Sequence, residues 1–237
     1  IATGHYAQVR EENGRYVVSK GLDENKDQSY VLWGLSQDCL KRTIFPMGKY
    51  HKKDIRQMAL DRGYVELANK SESYEICFIP DNDYRGFLKR RVDGLEEKVK
   101  DGDFITKSGE VVGVHNGYPF YTIGQRKLGV SLGQEPTYVI GINPDNNTVT
   151  VGTKEDLKEL EMTVRNVNLI KYDAILDGLH AVTKVRYKHS GEDSVLSNED
   201  GEIKVIFHHK VDGIAPGQSA VFYEGNDIVG GGFIKRK

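Results

Sequence analysis

The feature of this sequence that most limits its fold is the even spacing of short strand-like segments in its last third. Each segment has the composition of a half-buried strand, and polar residues or a glycine turn separate it from the next. About five to seven short strands at this spacing favour a closed barrel or a sandwich. The strands predicted in this part are residues 164–170, 181–187, 202–208, 219–223 and 227–234.

The middle of the chain also consists of short strands, with more glycine between them. Glycine accounts for 26 of the 237 residues, which is above the usual share of roughly 7%. Most of these glycines stand in turn contexts, and Pro144-Asp145-Asn146-Asn147 is itself a turn sequence. The strands predicted here are residues 99–105, 106–112, 137–142 and 148–152, and residues 154–160 are predicted to form a helical turn.

The first part of the chain mixes predicted strands with predicted helices. Asn13-Gly14 is a strong hairpin signal between strands at residues 5–10 and 15–20. Apolar residues at helical spacing then predict one helix from Tyr30 to about residue 42, with Cys39 packed on its apolar face.

Two further helices are predicted downstream. The first covers residues 51–62 and is followed by Gly63, a typical residue just past a helix end. The second is a short basic helix at residues 84–91. The whole pattern predicts three domains: an α/β part at residues 1–83, a small β-rich domain at residues 84–159 and a C-terminal β-barrel at residues 160–237.

Charge and cysteine content exclude several classes of protein. The net charge is −2, so the chain as a whole lacks the positive charge of a protein that binds nucleic acid through the backbone alone. Its two cysteines, Cys39 and Cys77, form neither a disulfide framework nor a C-x-x-C zinc pair, which favours a reducing, cytoplasmic setting.

His208 and His209 are adjacent on a predicted strand and point to opposite faces, so we expect no metal site. No run approaches the roughly 18 apolar residues of a membrane span.

Cys77 lies in a short apolar run, Ile76-Cys77-Phe78-Ile79, after a Ser/Glu-rich stretch and before Pro80. By itself this run is typical of a buried strand in which the cysteine serves as a small apolar residue. Core packing does not account for the glycine-rich and polar clusters elsewhere in the sequence. These clusters place charged and amide side chains next to glycines in predicted loops.

Five motifs follow one another along the chain: Ala2-Thr3-Gly4-His5-Tyr6, Lys26-Asp27-Gln28-Ser29-Tyr30, Ile76-Cys77-Phe78-Ile79, Gly124-Gln125-Arg126-Lys127, and Pro216-Gly217-Gln218-Ser219 with the strand after it. In this order they resemble the motifs of the tRNA-specific 2-thiouridylases (the MnmA/TrmU family). The resemblance extends over essentially the whole chain.

The resemblance implies a fold. Residues 1–83 would be the C-terminal part of a nucleotide-binding α/β domain of the adenine nucleotide α-hydrolase-like (PP-loop) type, followed by the small β-rich domain and the β-barrel. The family's Ser-Gly-Gly-x-Asp-Ser phosphate loop and its first catalytic cysteine do not occur in this sequence. We therefore expect an N-terminally truncated chain that is inactive by itself.

The resemblance also implies an activity, the ATP-dependent 2-thiolation of the wobble uridine of tRNA. ATP, with Mg²⁺ accompanying it, would adenylate the uridine, and a persulfide sulfur would then replace the AMP. The implied partners are tRNA and a sulfur donor protein, a cysteine desulfurase acting directly or through a relay. The protein would be a cytoplasmic monomer without a membrane partner.

Specific residues take on roles by the same resemblance. Cys77 matches the cysteine that carries sulfur as a persulfide, which the family's other cysteine reduces or attacks to leave a disulfide. Gly4 matches a residue of the ATP site, and Cys39 matches no catalytic position. The positions that match tRNA contacts are His5, Lys26, Asp27, Gln28, Arg186, Tyr187 and Gln218.

Two alternatives stay open at the level of the sequence. The chain could be a non-catalytic RNA-binding module, in which the barrel docks tRNA and Cys77 is structural. It could also belong to an adenylating enzyme of the same nucleotide-binding superfamily that acts on a small molecule.

Overall fold

The computed structural model describes residues 1–70, 79, 81 and 83–236. Cys77, the predicted sulfur carrier, lies outside these residues. The contacts divide the chain into two units, one formed by residues 1–70 together with 159–237 and the other by residues 71–158. The first segment of the chain therefore shares a unit with the last. The predicted domain limits near residues 83 and 159 stay a prediction.

The larger unit begins with the predicted hairpin, which is confirmed. Strand β1 (Ala7–Glu12) pairs antiparallel with β2 (Arg15–Lys20). Asn13 and Gly14 form the two-residue turn, with φ of 51° and 78°. A type I′ turn, whose twist matches that of the two flanking strands, requires positive φ at both central residues. Asn-Gly adopts these angles at little steric cost.

The helix predicted from Tyr30 to residue 42 is wrong. A 3₁₀ turn at Ser29–Leu32 is followed, after a break, by the short helix α1 (Gln37–Lys41). Ser36 is extended, and its side chain accepts a hydrogen bond from the Cys39 N–H, so it caps a new helix. The residues after Ser36 therefore face other directions than they would in one continuous helix from Tyr30. Leu40 is consequently buried, and Cys39, predicted to pack on the apolar face, is exposed with a free thiol.

The helix predicted at residues 51–62 is confirmed to within one residue at each end. Helix α2 (Lys52–Asp61) is followed by Gly63, whose φ of 82° and hydrogen bond from its N–H to the Leu60 carbonyl (2.9 Å) end the helix as expected. A short helix α3 (Val65–Asn69) follows and contacts α2.

The second unit contains two helices and a four-stranded sheet. Helix α4 (Tyr84–Arg91) coincides with the predicted basic helix, and the Asp83 side chain caps it by accepting from the Gly86 N–H at 2.9 Å. Helix α5 (Leu95–Val99) leads into the sheet, whose order is β4-β3-β6-β5. Only the central β3–β6 pair is parallel among the pairings of this sheet. The strands are β3 (Gly102–Ile105), β4 (Val111–His115), β5 (Tyr138–Asn143) and β6 (Thr148–Gly152).

The last third forms a closed six-stranded barrel, which confirms the prediction of a barrel. Its strand order is β12-β11-β8-β9-β10-β7, and β12 pairs back with β7. The helical turn predicted before it is a single 3₁₀ turn, Glu155–Leu157. The strands are β7 (Lys158–Leu169), β8 (Leu179–Lys184), β9 (Glu192–Glu199), β10 (Glu202–Asp212), β11 (Ser219–Glu224) and β12 (Asp227–Ile234).

Strand β9 was not predicted, because its inward face is partly polar. Ser194 is buried in the barrel, where its hydroxyl donates to the Ala181 carbonyl (2.8 Å) and exchanges a hydrogen bond with Thr183 (2.7 Å). These bonds satisfy a buried polar group that a hydrophobic pattern cannot reveal. Leu196 supplies the apolar contact of the same strand.

Strand β11 is buried on both faces, which joins the first segment to the barrel. Ala220 and Phe222 belong to the barrel core, whereas Val221 and Tyr223 belong to a second core shared with the first segment. Side chains alternate across a strand, so a continuous apolar run is expected where both faces are covered.

Trp33 of the first segment packs on the outside of the barrel at a glycine. A Cβ atom at Gly231 would lie 2.9 Å from the indole, so only glycine allows this approach. The indole N–H donates to the Ser219 hydroxyl at 3.0 Å, and the ring meets Phe233 edge-on at 5.2 Å. The Asn168 side chain holds the same segment by donating to the Trp33 carbonyl at 2.7 Å.

A carboxylate of the barrel also binds the hairpin. Asp227 accepts hydrogen bonds from both terminal nitrogens of Arg10 (2.9 Å each), from the Ser19 hydroxyl (2.7 Å) and from Lys171 (3.0 Å). Its side chain is only 14% exposed. Burial by itself raises the pKa of Asp227, but the hydrogen bonds from Arg10, Ser19 and Lys171 outweigh it and hold the pKa well below the usual range.

We expect Asp227→Asn to lower the free energy of unfolding by about 2 to 4 kcal/mol, because the change leaves Arg10 and Lys171 without their shared, largely buried partner. Urea unfolding followed by Trp33 fluorescence measures it, since Trp33 is the single tryptophan. The control is Asp173→Asn, which removes an ion pair with Arg15 whose carboxylate is 89% exposed and should cost less than about 1 kcal/mol. Equal effects of the two changes would contradict the role of Asp227.

The second unit has a buried histidine beside its core. His115 is 3% exposed, contacts the rings of Phe104 (5.0 Å) and Tyr121 (5.2 Å), and accepts the Gly117 N–H on Nδ1 at 3.0 Å. Burial lowers the pKa of His115, and the nearby Asp103 only partly opposes this. The neutral imidazole is therefore the form that the folded unit accommodates.

Because the folded pKa of His115 lies below its unfolded value, we expect the second unit to lose stability as pH falls below about 6.5. Urea unfolding followed by NMR signals of β3 to β6 at pH 5 to 8 measures it. The His115→Gln variant should lose this dependence. A His115 ring that titrates above pH 6.5 would contradict the prediction.

Candidate functional site

Three of the predicted tRNA-contacting segments meet in the larger unit. The Tyr187 hydroxyl donates to the Asp27 carbonyl at 3.0 Å, and its ring meets the Tyr30 ring edge-on at 6.0 Å. The Tyr30 hydroxyl in turn donates to the carbonyl of Ser219, next to Gln218, at 2.7 Å. We call residues 26–28, 186–187 and 218 the loop face.

The Asp27 carboxylate closes the loop that carries it. It accepts the N–H groups of Gly21 (3.1 Å) and Ser29 (3.0 Å) and the Ser29 hydroxyl (2.9 Å). These bonds satisfy the first backbone donor of the 3₁₀ turn, at Ser29, and the backbone donor of Gly21 just after β2. Asp27 thereby orders the loop and presents its own carbonyl to Tyr187.

Gln28 joins this loop to the segment of Gly4 and His5. The Gln28 N–H donates to the Tyr6 carbonyl at 2.9 Å, and the Gln28 side-chain oxygen accepts the Tyr6 N–H at 3.1 Å. The side chain completes a pair of bonds that resembles one rung of a β-ladder. The predicted tRNA contacts of Asp27 and Gln28 stay a prediction, and the structure adds that both side chains hold backbone groups of this chain.

Gly4 and His5 differ in their surroundings. Gly4 is exposed, and a Cβ atom there would meet nothing within 4 Å, so packing does not require glycine at this position. His5 is half-buried, shares a short hydrogen bond from Nδ1 with the Thr3 hydroxyl, and meets Phe45 edge-on at 6.3 Å. The His5 ring therefore has a fixed orientation, and the Gly4 backbone is open to a ligand.

Arg186 and Gln218 lie at the barrel ends of the loop face and are both exposed. The Arg186 guanidinium donates to the carbonyl (3.1 Å) and the carboxylate (3.2 Å) of Asp212. Gln218 ends a turn in which Gly217 has φ of 83° and the Gln218 N–H donates to the Ala215 carbonyl at 3.1 Å. Pro216 and Gly217 in this order are typical of a type II turn.

Tyr30, Lys20 and Lys184 are residues of this region that sequence reasoning missed. Burial raises the pKa of Tyr30 to about 12, so its hydroxyl stays a neutral donor to Ser219. The two lysine side chains lie over the buried Tyr223 ring. Tyr30 ended one of the five motifs but was assigned to a helix, and the two lysines lie in ordinary strand patterns, Lys20 at the end of one and Lys184 within another.

The remaining expectations concern the two cysteines, a metal site and a membrane segment. Cys77 lies outside the described residues, and Cys39 is exposed on α1. Among the residues described, no group of three or more His, Cys, Asp or Glu side chains could hold a metal ion. In the same part of the chain, no helix has the length and apolar character that crossing a membrane requires.

We expect Asp27→Ala to destabilise the larger unit by about 1 to 2 kcal/mol, because three donors lose their acceptor. Hydrogen exchange at the amides of Gly21 and Ser29 should also accelerate, which mass spectrometry or NMR measures. The exposed Glu24 of the same loop is the control, and Glu24→Ala should change stability by less than about 0.5 kcal/mol. Unchanged amide protection in Asp27→Ala would contradict the role of this carboxylate.

The comparisons with known proteins cover the whole chain. Residues 1–81 match the family model described as the tRNA methyl transferase HUP domain, residues 85–153 the tRNA methyl transferase PRC-barrel domain, and residues 159–234 the aminomethyltransferase beta-barrel domain. These matches confirm the predicted fold class, a nucleotide-binding α/β domain followed by a small β-rich domain and a β-barrel.

Curated relatives share the same description. The chain is 59% identical over 238 residues to the tRNA-specific 2-thiouridylase MnmA of Cytophaga hutchinsonii, an alignment that covers 99% of this chain and 64% of the relative. It is 58% identical to the protein of that name from Amoebophilus asiaticus and 52% identical to that from Salinibacter ruber, again over 99% of this chain and over 63% and 62% of the relatives. The chain thus spans less than two thirds of the length of these relatives. It belongs to the tRNA-specific 2-thiouridylase (MnmA) family.

Proposed function

We propose that the protein takes part in the ATP-dependent 2-thiolation of the wobble uridine of tRNA. The observation that supports this most is the meeting of the three segments of the loop face through Tyr187 and Tyr30. Residues about 160 positions apart in the sequence make direct hydrogen bonds there. The names of the relatives, which act on tRNA, agree with this use of the surface.

The residues of the loop face are suited to RNA. Lys26 and Arg186 carry the positive charge that phosphate contacts require. Tyr187 is 43% exposed, and an exposed aromatic ring can stack on a base or ribose. Gln218 is exposed at its turn and carries both a donor and an acceptor. His5 is the last residue of the proposed set of tRNA contacts. Gln28 holds it near the loop through two hydrogen bonds to the backbone of the neighbouring Tyr6.

The proposed chemistry replaces the O2 oxygen of uridine by sulfur. ATP adenylates O2 with release of pyrophosphate, and the terminal sulfur of a persulfide on Cys77 attacks C2. The new C–S bond forms as the C–O bond to AMP breaks, so AMP leaves with the original oxygen. The sulfur–sulfur bond to Cys77 is then cleaved by a second cysteine thiolate of the enzyme, which leaves a disulfide with Cys77.

Within this proposal, each residue of the chain has a limited task. Gly4 lines the ATP site, where its exposed backbone lets the nucleotide, with Mg²⁺ bound to it, approach. Cys77 receives sulfur from a donor protein, a cysteine desulfurase acting directly or through a relay. Asp27 and Gln28 order the loop. We propose that the protein works as a monomer in the cytoplasm.

We expect Cys77→Ser in the full-length protein to abolish 2-thiouridine formation while tRNA binding is retained, because serine cannot carry a persulfide. Mass spectrometry of tRNA nucleosides and fluorescence anisotropy of labelled tRNA measure the two properties. Cys39→Ser is the matched control and should retain activity, since its exposed thiol has no part in the proposed chemistry.

Retained thiolation in Cys77→Ser would contradict the role of the sulfur carrier. If the native protein binds tRNA but forms no 2-thiouridine with ATP and a sulfur donor, the non-catalytic RNA-binding module is the better description. Release of AMP from ATP at the same rate without tRNA would favour an adenylating enzyme with a small-molecule substrate.

A further inference from the structure

The motif Gly124-Gln125-Arg126-Lys127 lies in the second unit, between the 3₁₀ turn Tyr118–Phe120 and strand β5. We call residues 124–129, which include this motif, the basic loop. Arg126 and Lys127 are both exposed on it. The proposed thiolation chemistry gives these two side chains no task.

Hydrogen bonds fix the start of the basic loop. The Gln125 N–H donates to the Thr122 carbonyl at 3.0 Å, and the Gln125 side-chain oxygen accepts the Thr122 N–H at 3.1 Å. Gly124 has φ of 84°, the angle that a type II turn requires at its third residue. The Gly124 N–H donates to the Val139 carbonyl (2.8 Å), and the Val139 N–H donates to the Gln125 carbonyl (3.0 Å), so the turn is tied to β5.

Apolar contacts hold the basic loop on both sides of its two cations. Ile123 precedes the cations, Leu128 and Val130 follow them, and all three side chains pack against the core of the four-stranded sheet. The Arg126 guanidinium lies over the Tyr138 ring of β5, with its central carbon 5.9 Å from the ring centroid. A loop that is ordered in this way loses less conformational entropy on binding than a mobile one.

Lys127 has a backbone conformation that is unusual for its residue type. Its φ is 60°, and among the residues described it is the only one with positive φ that is neither glycine, asparagine nor aspartate. A Cβ atom destabilises this conformation, which glycine adopts freely and which Asn and Asp side chains can support by local hydrogen bonds. Backbone strain of this kind concentrates at ligand-binding positions. The lysine side chain is therefore the feature of this position that requires an explanation.

The charges of Arg126 and Lys127 are available to a ligand. The ion pairs of the second unit join other side chains, namely Lys89–Glu96, Arg90–Asp81, Lys107–Asp156 and Lys158–Glu155. Two exposed cations on successive residues are suited to the backbone of a nucleic acid, because each side chain can contact a phosphate of its own.

The surroundings of the two cations favour RNA over an acidic protein surface. Gly129 is exposed, and a Cβ atom there would meet nothing within 4 Å, so the loop backbone is open to close approach. The exposed residues of the basic loop are Arg126, Lys127 and Gly129, and Leu128 is partly buried. The loop thus presents charge without the exposed apolar side chain that the core of a protein interface needs.

We propose that the basic loop is a second tRNA-binding element, in which Arg126 and Lys127 contact phosphates of the tRNA backbone. The proposal rests on the tRNA partner of the proposed function and assigns part of the binding to the second unit. Phosphate contacts of this kind contribute affinity and orientation, and they carry no base sequence information themselves.

Fluorescence anisotropy of labelled tRNA with the full-length protein, over a range of salt concentrations, tests the contact. Arg126→Gln and Lys127→Gln should each weaken binding by about tenfold and reduce the slope of log affinity against log salt by roughly 0.7 to 0.9. The control is Lys154→Gln, which removes the same charge from another exposed position of the second unit and should leave both quantities unchanged.

Lys127→Gly separates a contact with RNA from a structural role of the lysine. Because glycine adopts positive φ without strain, this variant should unfold thermally at the temperature of the native protein or above it, while its tRNA affinity falls as in Lys127→Gln. Lys127→Arg keeps the charge and should keep the salt slope. A loss of stability in Lys127→Gly together with native affinity for tRNA would show a structural role and overturn the proposal.

The Arg126→Gln/Lys127→Gln double variant distinguishes a failure of this proposal from a failure of the proposed function. Unchanged affinity and salt slope, with tRNA bound by the native protein, would overturn the contact and leave the proposed function standing. The same result combined with slower sulfur transfer from a purified cysteine desulfurase and free cysteine would assign the basic loop to the sulfur donor instead.

Two outcomes with the native protein concern the proposed function itself. If tRNA binding depended on both side chains but the native protein formed no 2-thiouridine with ATP and a sulfur donor, the contact would stand and the proposed function would fail. Absence of tRNA binding by the native protein would overturn both.

Discussion

The arrangement of the larger unit depends on the ion network around Asp227. This carboxylate of the barrel collects hydrogen bonds from Arg10 and Ser19 of the hairpin and from Lys171 after β7. A carboxylate that is only 14% exposed needs all of these donors, because a buried charge without partners costs several kcal/mol. The hairpin is thereby held at one register against β12, where Ser19 pairs with Asp227.

A second set of contacts fixes the far side of the first segment. Trp33 packs on the barrel wall at Gly231 and donates to Ser219, while Tyr30 donates to the carbonyl of the same residue. With the hairpin held at Asp227, these contacts place the loop around Asp27 beside the end of β8. The loop face is therefore a consequence of how two parts of the chain share one core.

Within the loop face, the polar residues of the Lys-Asp-Gln-Ser motif have different tasks. Asp27 and Gln28 direct their side chains to backbone groups of Gly21, Ser29 and Tyr6. A motif that resembles a ligand contact can thus be required because it orders the loop that bears the contact. Lys184 lies at the edge of this ordered region, with its ammonium group 5.7 Å from the centroid of the Tyr223 ring.

Features that depend on local chemistry could be predicted from the amino-acid sequence. Asn13-Gly14 specified the hairpin turn, the glycine and polar turns specified the strands of the barrel, and five motifs specified the family. It failed where a non-local partner or a cap changes a local pattern: Ser36 divided the predicted helix, and buried hydroxyl bonds stabilised β9, whose inward face is partly polar. Which side chains meet is a property of the folded chain, because hydrogen bonds such as that between Tyr187 and Asp27 join residues whose distance along the chain carries no information about their distance in space.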